Sequence, residues 1–499
     1  MNSRIIIKIK DVYFLQSKTF TDNPTKLLLD KEFFAPLNLF RITNLYKATK
    51  KPSNINESIN IFHNLIKSIS GLAINGKIES LFSIMDATIV VNLMQEAKEI
   101  SGFKGANLLN YYFIEVEQDV AEEVLVLVNE LILNQKSGVE FTYIEGEVFD
   151  GSKEAVKDST LSEMQSFSKN DKNVNKININ DTKSNQTAAT TANLISSIEI
   201  LFNNYFNFEK YHNGSIPVVQ VVDLEQGWNF SNNGISSLFN TTIPQILGGG
   251  HNYTDIPHGT NTLNVLFGNS ATSTTPRLGG LCKNAKPLVA SIWSPPVLGT
   301  TPVKNISVAL AKILGKNGVS SPLNTGDIVL IEVQLIKSTG AKENKLFPVE
   351  IDQAIFDTIA YGVGKNIIIV EAAANGNINL DFKKPTDSSA VNLTTLNSGA
   401  IMVGALSKRS DGSLRKHIQS NSGSRIDTYC FGDVLNTTAG TNFSATSLAS
   451  AIIASLVANM QIIRKMKGKP LLKNADIKAF LGSNASNIPN NGGNFSASL

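Results

Sequence analysis

Between residues 193 and 483 the chain carries five short runs of almost unbroken apolar residues: Val218–Val222, Pro287–Ile292, Asp327–Val333, Asn366–Val370 and Ala400–Val403. Helix-like stretches, including Gln353–Val363 and Ser447–Arg464, lie between or after them. A strand with one wet face alternates apolar and polar residues, whereas a continuous apolar run suits a strand covered on both faces. Buried strands alternating with helices imply an α/β fold, a mostly parallel sheet covered by helices on both faces.

The rest of the 499 residues differs in texture. Residues 1–150 mix strand-like runs (Ile5–Ile9, Ala87–Asn92, Tyr111–Glu117, Glu140–Glu145) with the helical apolar period of Asp119–Asn134. They read as a smaller α+β region. Residues 151–192 are rich in Asn, Lys, Ser and Thr, with no aromatic after Phe167. Such a stretch buries too little apolar area to offset its ordering entropy and reads as a flexible linker. Residues 484–499 form a polar tail.

The formal charge of +3, from 45 basic and 42 acidic residues, argues against nucleic acid as the main ligand. Two cysteines, Cys282 and Cys430, exclude a disulfide framework and leave no Cys-based zinc site. No constellation of metal ligands stands out, so no metal and no cofactor are expected. The opening MNSRIIIKIKD reads as a strand and not as a signal peptide. The longest mostly apolar run, near Leu448–Met460, is shorter than a membrane span. A cytoplasmic protein without membrane contact is expected, with leaderless or C-terminally signalled export left open.

Four segments could carry chemistry: VVQVVDLEQGW with Asp223, PHGTNTLNVLFG with His258, IIIVEAAANGN with Asn375, and AGTNFSATSLASAIIASLVA with Ser447. Taken singly, each has an ordinary use: a loop anchor, a turn histidine, an Asn-Gly turn, a helix N-cap. Taken together and in order on one parallel scaffold, they supply a complete set. A serine hydroxyl needs a base, an imidazole serves near neutral pH, and a buried carboxylate fixes its tautomer. A side-chain amide and a helix N-terminal N–H can hold an oxyanion.

At these residues the sequence resembles the subtilisin-like serine peptidases (subtilases), over about Leu194–Ser483. The resemblance rests on VVD at Asp223, HGT at His258–Thr260, AAAN at Ala372–Asn375 and TSLAS at Thr446–Ser450. The connecting GDIVLIEVQ, NSGAIMVGAL and SNSGSRIDTYCFGD match as well. It implies a serine endopeptidase with Asp223 as the charge-stabilising carboxylate, His258 as general base, Ser447 as nucleophile and Asn375 as oxyanion donor. It implies further that Glu332 and Glu371 flank the first specificity pocket beside Ala374. There they either favour a basic substrate residue or are structural, satisfied by neighbouring amides.

The chain departs from the family pattern at Ala374 and Ala445, where the family has glycine before the Asn and before the Thr-Ser pair, and at Asn264, Ala451 and Ser455. These departures support an alternative: a catalytically weak or inactive protein of the same fold that binds a peptide or partner protein. Residues 111–149 resemble a subtilase prodomain. Residues 1–150 are then either autoinhibitory, with activation by cleavage in the linker, or a fixed accessory region that engages an activating or inhibitory protein partner.

Overall fold

The computed structural model describes residues 2–9, 65, 68–82, 84–134, 139–149, 198, 206, 216–238, 246–247, 250–254, 257–269, 277–293, 302–315, 323–340, 343–386, 390–408 and 414–482. The expected linker at 151–192 and the polar tail at 484–499 lie outside the described residues.

The first unit is built from β1 (Asn2–Ile9), β2 (Glu79–Ser80), α1 (Ala87–Ser101), β3 (Tyr111–Glu117), α2 (Ala121–Asn134) and β4 (Val139–Ile144). Its strands form an antiparallel sheet in the order β2-β3-β1-β4. The opening strand is therefore central, and residues 2–9 share one sheet with the region expected to be most prodomain-like. The strand-like run Ala87–Asn92 is instead the start of α1. The Asp86 side chain caps this helix by accepting from Thr88 N–H, and Val90, Leu93 and Ala97 line one buried face at helical spacing. That cap and spacing outweigh the strand preference of the β-branched residues.

The period of two along each strand divides this sheet's faces. Ile5, Ile7, Ile9, Tyr112, Ile114 and Val116 join Val128 of α2 in one cluster. Ile6, Tyr111, Phe113 and Tyr143 point the other way and merge with the core of the second unit.

The second unit centres on an eight-stranded sheet. Its strands are β6 (Gln220–Glu225), β7 (Ile246–Leu247), β8 (Lys286–Ser291), β9 (Ile328–Ile331), β12 (Ile368–Ala372), β13 (Ile401–Lys408), β14 (Leu414–Lys416) and β15 (Thr428–Phe431). The order is β14-β13-β12-β9-β6-β8-β7, with β15 also paired to β13. Every pairing is parallel except β13 with β14. Val222, Leu224, Val329, Ile331 and Ile369 face α4 (Ile306–Leu314), α5 (Gln353–Gly364), α1 and the first unit. Val221, Ile328, Leu330, Ile368 and Val370 face α3 (Pro257–Phe267) and α6 (Ala445–Met466). The expected two-sided covering is therefore observed. Helix α6 has the length and hydropathy of a membrane span, yet 83% of its apolar window is buried in this core.

Strand β6 is where the chain reverses its direction of progress across the sheet. It is followed on one side by β8 and β7 and on the other by β9, β12 and β13. The crevice beyond the C-terminal end of such a strand is the usual ligand position in open α/β sheets.

A smaller antiparallel sheet joins the two units. β5 (Glu147–Phe149) pairs with β10 (Gln334–Ser338), which also pairs with β11 (Asn344–Pro348). Lys337 Nζ donates to the Ile144 carbonyl, Lys304 Nζ to the Val148 carbonyl and Asn305 to the Leu81 carbonyl. The Tyr143 hydroxyl bonds Asp352, the N-cap of α5. Buried apolar surface contributes about 25 cal/mol per Å², so a shared core of this kind holds without a covalent link. With a specific protease site inserted between residues 151 and 192 of Ser447→Ala protein, the two cleaved pieces should co-elute on native size-exclusion chromatography. Separate elution would contradict the shared core.

Candidate active site

Strand β6 runs three residues further than the apolar pattern suggests, to Glu225, because Asp223 and Glu225 alternate with Leu224. Both carboxyls therefore project to the α3/α6 side, with Glu225 one strand repeat nearer the crevice. His258 sits in the first turn of α3, and Ser447 is the third residue of α6. The following Gly259 leaves room for the turn. A Cβ there would come within 2.6 Å of the Gly227 carbonyl oxygen and 2.7 Å of Trp228 Nε1.

His258 Nε2 lies 3.0 Å from Ser447 Oγ, and His258 Nδ1 lies 2.6 Å from Glu225 Oε1. A carboxylate only accepts, so the imidazole carries its proton on Nδ1 and presents Nε2 as acceptor to the serine hydroxyl. The Phe443 ring stands against the imidazole at an interplanar angle of 69°, with centroids 5.1 Å apart. His258 and Ser447 are buried, and Glu225 and Asp223 are fully enclosed.

Asp223, the carboxylate expected beside His258, lies one repeat deeper. Its Oδ2 accepts from Trp228 Nε1 at 2.6 Å, while its Oδ1 is buried without a hydrogen-bond partner. Burial, then the nearby Glu225 and Glu332, pushes its carboxyl well above the usual range, toward the neutral form. The carboxylate hydrogen-bonded to the imidazole is Glu225, and sequence reasoning missed it. The signal was present in DLE: two acids two residues apart on one strand share a face, and the later one is nearer the strand end.

Asn375 follows β12 and lies beside Ser447. Its Oδ1 accepts from Thr446 N–H at 3.2 Å and from Thr446 Oγ1 at 2.7 Å. A backbone N–H can only donate, so the amide orientation is fixed, and Nδ2 is not used by these bonds. Thr446 and Ser447 are in the first turn of α6, where backbone N–H groups lack helical partners. Asn375 is thus hydrogen-bonded to the residue that precedes Ser447.

The two glutamates expected beside the pocket project to opposite faces of the sheet. Glu332 continues the Ile328, Leu330 face of β9, whereas Glu371 shares the opposite face with Ile369. Glu371 is fully buried and takes the Glu350 N–H, next to the Glu350–Arg425 ion pair. Glu332 is also fully buried. It takes the Thr262 hydroxyl at 2.5 Å and stands 3.9 Å from His258 Nδ1. Both carboxyls are thus enclosed by the protein. Ala374 stays next to Asn375, buried in the turn.

Glu225, His258 and Glu332 bring ligand-type atoms within 4.8 Å of one another. They do not fit an ion. Ligands about 2.1 Å from a tetrahedral metal stand roughly 3.4 Å apart, and 2.6 Å between Nδ1 and Oε1 is the spacing of a shared proton.

Two of the departures from glycine now have a conformation. Ala374 has φ 70° and Ala445 has φ 60°, both in the left-handed region. Asn264, another departure, is absorbed by hydrogen bonds to the Thr260 carbonyl and from the Thr438 hydroxyl.

No family model matches the chain, and no curated protein matches it. Among solved structures, its neighbours are subtilisin-like proteases. A cold-adapted subtilisin-like serine proteinase is 15% identical, with a TM-score of 0.36, over 56% of this chain and 85% of that one. The patellamide maturation protease PatA is 16% identical, with a TM-score of 0.37, over 54% and 86%. The epidermin leader peptide processing serine protease from Staphylococcus aureus is 12% identical, with a TM-score of 0.41, over 72% and 83%. At such identities and TM-scores the likeness says nothing of what this chain does.

A left-handed non-glycine residue costs about 1–2 kcal/mol, and glycine returns about 0.4–1 kcal/mol of that through the unfolded chain. Ala374→Gly and Ala445→Gly should therefore each stabilise Ser447→Ala protein by about 0.5–1 kcal/mol in chemical unfolding. A loss of stability in both would contradict the strain.

Proposed function

We propose that this chain is a subtilisin-like serine endopeptidase that hydrolyses peptide bonds in proteins through an acyl-enzyme on Ser447. The observation that carries this reading is the Glu225–His258–Ser447 relay at 2.6 and 3.0 Å, set beside the amide of Asn375. As Ser447 Oγ attacks the substrate carbonyl, its proton passes to His258 Nε2. Glu225 stabilises the imidazolium through Nδ1–H. The carbonyl oxygen gathers negative charge between Ser447 N–H and Asn375 Nδ2. His258 then returns the proton to the leaving amine as the C–N bond breaks, and a water molecule hydrolyses the ester by the reverse route.

The same reading gives the first unit an autoinhibitory role, relieved when cleavage in the 151–192 linker lets β5 leave β10 while the shared core stays docked. Its support is the pairing of β5 with β10. Phe149 stands opposite Gln334, whose Oε1 takes the Asn375 N–H at 2.6 Å. The chain thus pairs there as an extended strand two hydrogen-bonded residues from Thr446. The binder without activity rested on the glycine replacements. Ala374 and Ala445 keep the left-handed turn glycine would make, which favours the enzyme. A cytoplasmic location and a regulatory protein partner for residues 1–150 remain parts of the proposal; Cys282 and Cys430 are unpaired thiols.

A fluorophosphonate probe should label the wild type at Ser447 and leave Ser447→Ala unlabelled. Glu225→Gln should slow labelling by about 10³–10⁴, and Asp223→Asn by less than about tenfold. The reverse ranking would return the acid role to Asp223, and no labelling before or after linker cleavage would favour the binder. Prolonged incubation should cut the wild type within a few residues after Phe149, as read by intact mass, while Ser447→Ala stays whole. Identical intact masses would count against self-processing.

A further inference from the structure

Glu332 lies outside the relay, yet it touches a neighbour of each reacting residue. Its Oε2 bonds the hydroxyl of Thr262, one helical turn after His258 on α3. Its Oε1 is 3.4 Å from the hydroxyl of Ser450, three residues after Ser447 on α6. Both hydroxyls also reach back to the residue that matters: Thr262 Oγ1 to the His258 carbonyl at 3.3 Å, and Ser450 Oγ to the Ser447 carbonyl at 3.0 Å. One carboxyl, rooted just past β9, is thus bonded between the helix that carries the base and the helix that carries the nucleophile.

We propose that Glu332 is a positioning residue, a carboxyl clamp between α3 and α6 that holds the His258 imidazole against the Ser447 hydroxyl. The inference rests on the peptidase reading above and adds to it a residue that takes no part in bond making.

The proton count supports the clamp. Each hydroxyl has one proton and two acceptors within reach. A protonated Glu332 removes the conflict at Thr262 by donating to its Oγ1, which frees the Thr262 proton for the His258 carbonyl. Burial raises the Glu332 carboxyl to about 8, His258 opposes that rise and Glu225 adds to it, so at pH 7 the clamp is mostly neutral. The titratable groups facing it are Asp223 and Glu225 from β6 and His258 from α3, while α6 faces it with Ser450. Above pH 8 the ionised clamp places a second negative charge 3.9 Å from Nδ1, which favours the imidazolium formed as Ser447 attacks.

The test compares wild type, Glu332→Gln and Glu332→Ala as full-length protein. Glu332→Ala should slow fluorophosphonate labelling by about 10²-fold at every pH, as expected for a base displaced by about 1 Å. Its KM for a peptide substrate should move by less than about twofold. Glu332→Gln, which keeps the shape but cannot ionise, should slow labelling by only a few-fold at pH 7. Its profile should lack the wild type's second rise near pH 8. Wild-type rates in Glu332→Ala, or a preserved second rise in Glu332→Gln, would overturn the clamp. A wild type that never labels would instead sink the peptidase reading. The clamp would then be read from the low-field proton resonance of His258 Nδ1–H. That signal should change between pH 7 and 9 in wild type and hold still in Glu332→Gln; the same titration in both would overturn the proposal.

Discussion

Three carboxyl groups, Asp223, Glu225 and Glu332, project from adjacent parallel strands to one face of a sheet that excludes water. Asp223 is in register with Leu330, and Glu332 stands two residues beyond Leu330 on the neighbouring strand. Three full charges in so small a volume would cost far more than the fold could recover. The arrangement survives because the groups are treated differently. Asp223 is pushed toward the neutral form and receives an indole N–H, Glu332 is mostly neutral and bonded to two hydroxyls, and Glu225 meets an imidazole N–H. Helices α3 and α6 are placed where their polar residues can answer these carboxyls, so the packing of one face of the sheet follows from its acid content.

The turn residues that flank the site are under a different constraint. Ala374 precedes Asn375, and Ala445 opens the helix that carries Ser447. Both hold backbone angles that disfavour a side chain, and they do so where a donor must point at a fixed place. Strain is tolerated there because surrounding bonds define the backbone: the Ala374 carbonyl takes Asn421 N–H, and Ala445 N–H is given to the Gly432 carbonyl.

Much of this was legible from the residues. The continuous apolar runs gave a parallel sheet covered on both sides, and His258, Asn375 and Ser447 gather beyond the C-terminal ends of its central strands. What could not be read was side-chain reach. Asp223 and Glu225 share a face, and a motif centred on Asp223 does not say which carboxyl arrives at the imidazole. Only the position of α3 decides that. Glu332 and Glu371 look equivalent as acids ending two buried strands, yet the strand period sends them to opposite faces, one beneath the histidine and one into the Arg425 network. The run Thr88-Ile89-Val90-Val91 misled for the converse reason: β-branched residues suit a strand, but an Asp86 cap and burial against α4 and α5 make it a helix.

The central place of β1 in the first sheet has a consequence for how the molecule is made. Residues 2–9 leave the ribosome before β3 and β4 and have no strand of this sheet to pair with until those follow. Once those strands emerge, the small sheet can close with one face still partly bare, because the Tyr111 and Tyr143 hydroxyls find their carboxylate partners, Asp357 and Asp352, in the second unit. That bare face waits while the large parallel sheet, slow to form because its contacts are distant in sequence, is still being synthesised. When α4 and α5 appear, a finished surface is there to receive them, with the Tyr143 hydroxyl placed to meet the cap of α5. The order of the chain thus makes the first unit a template on which the rest of the molecule condenses.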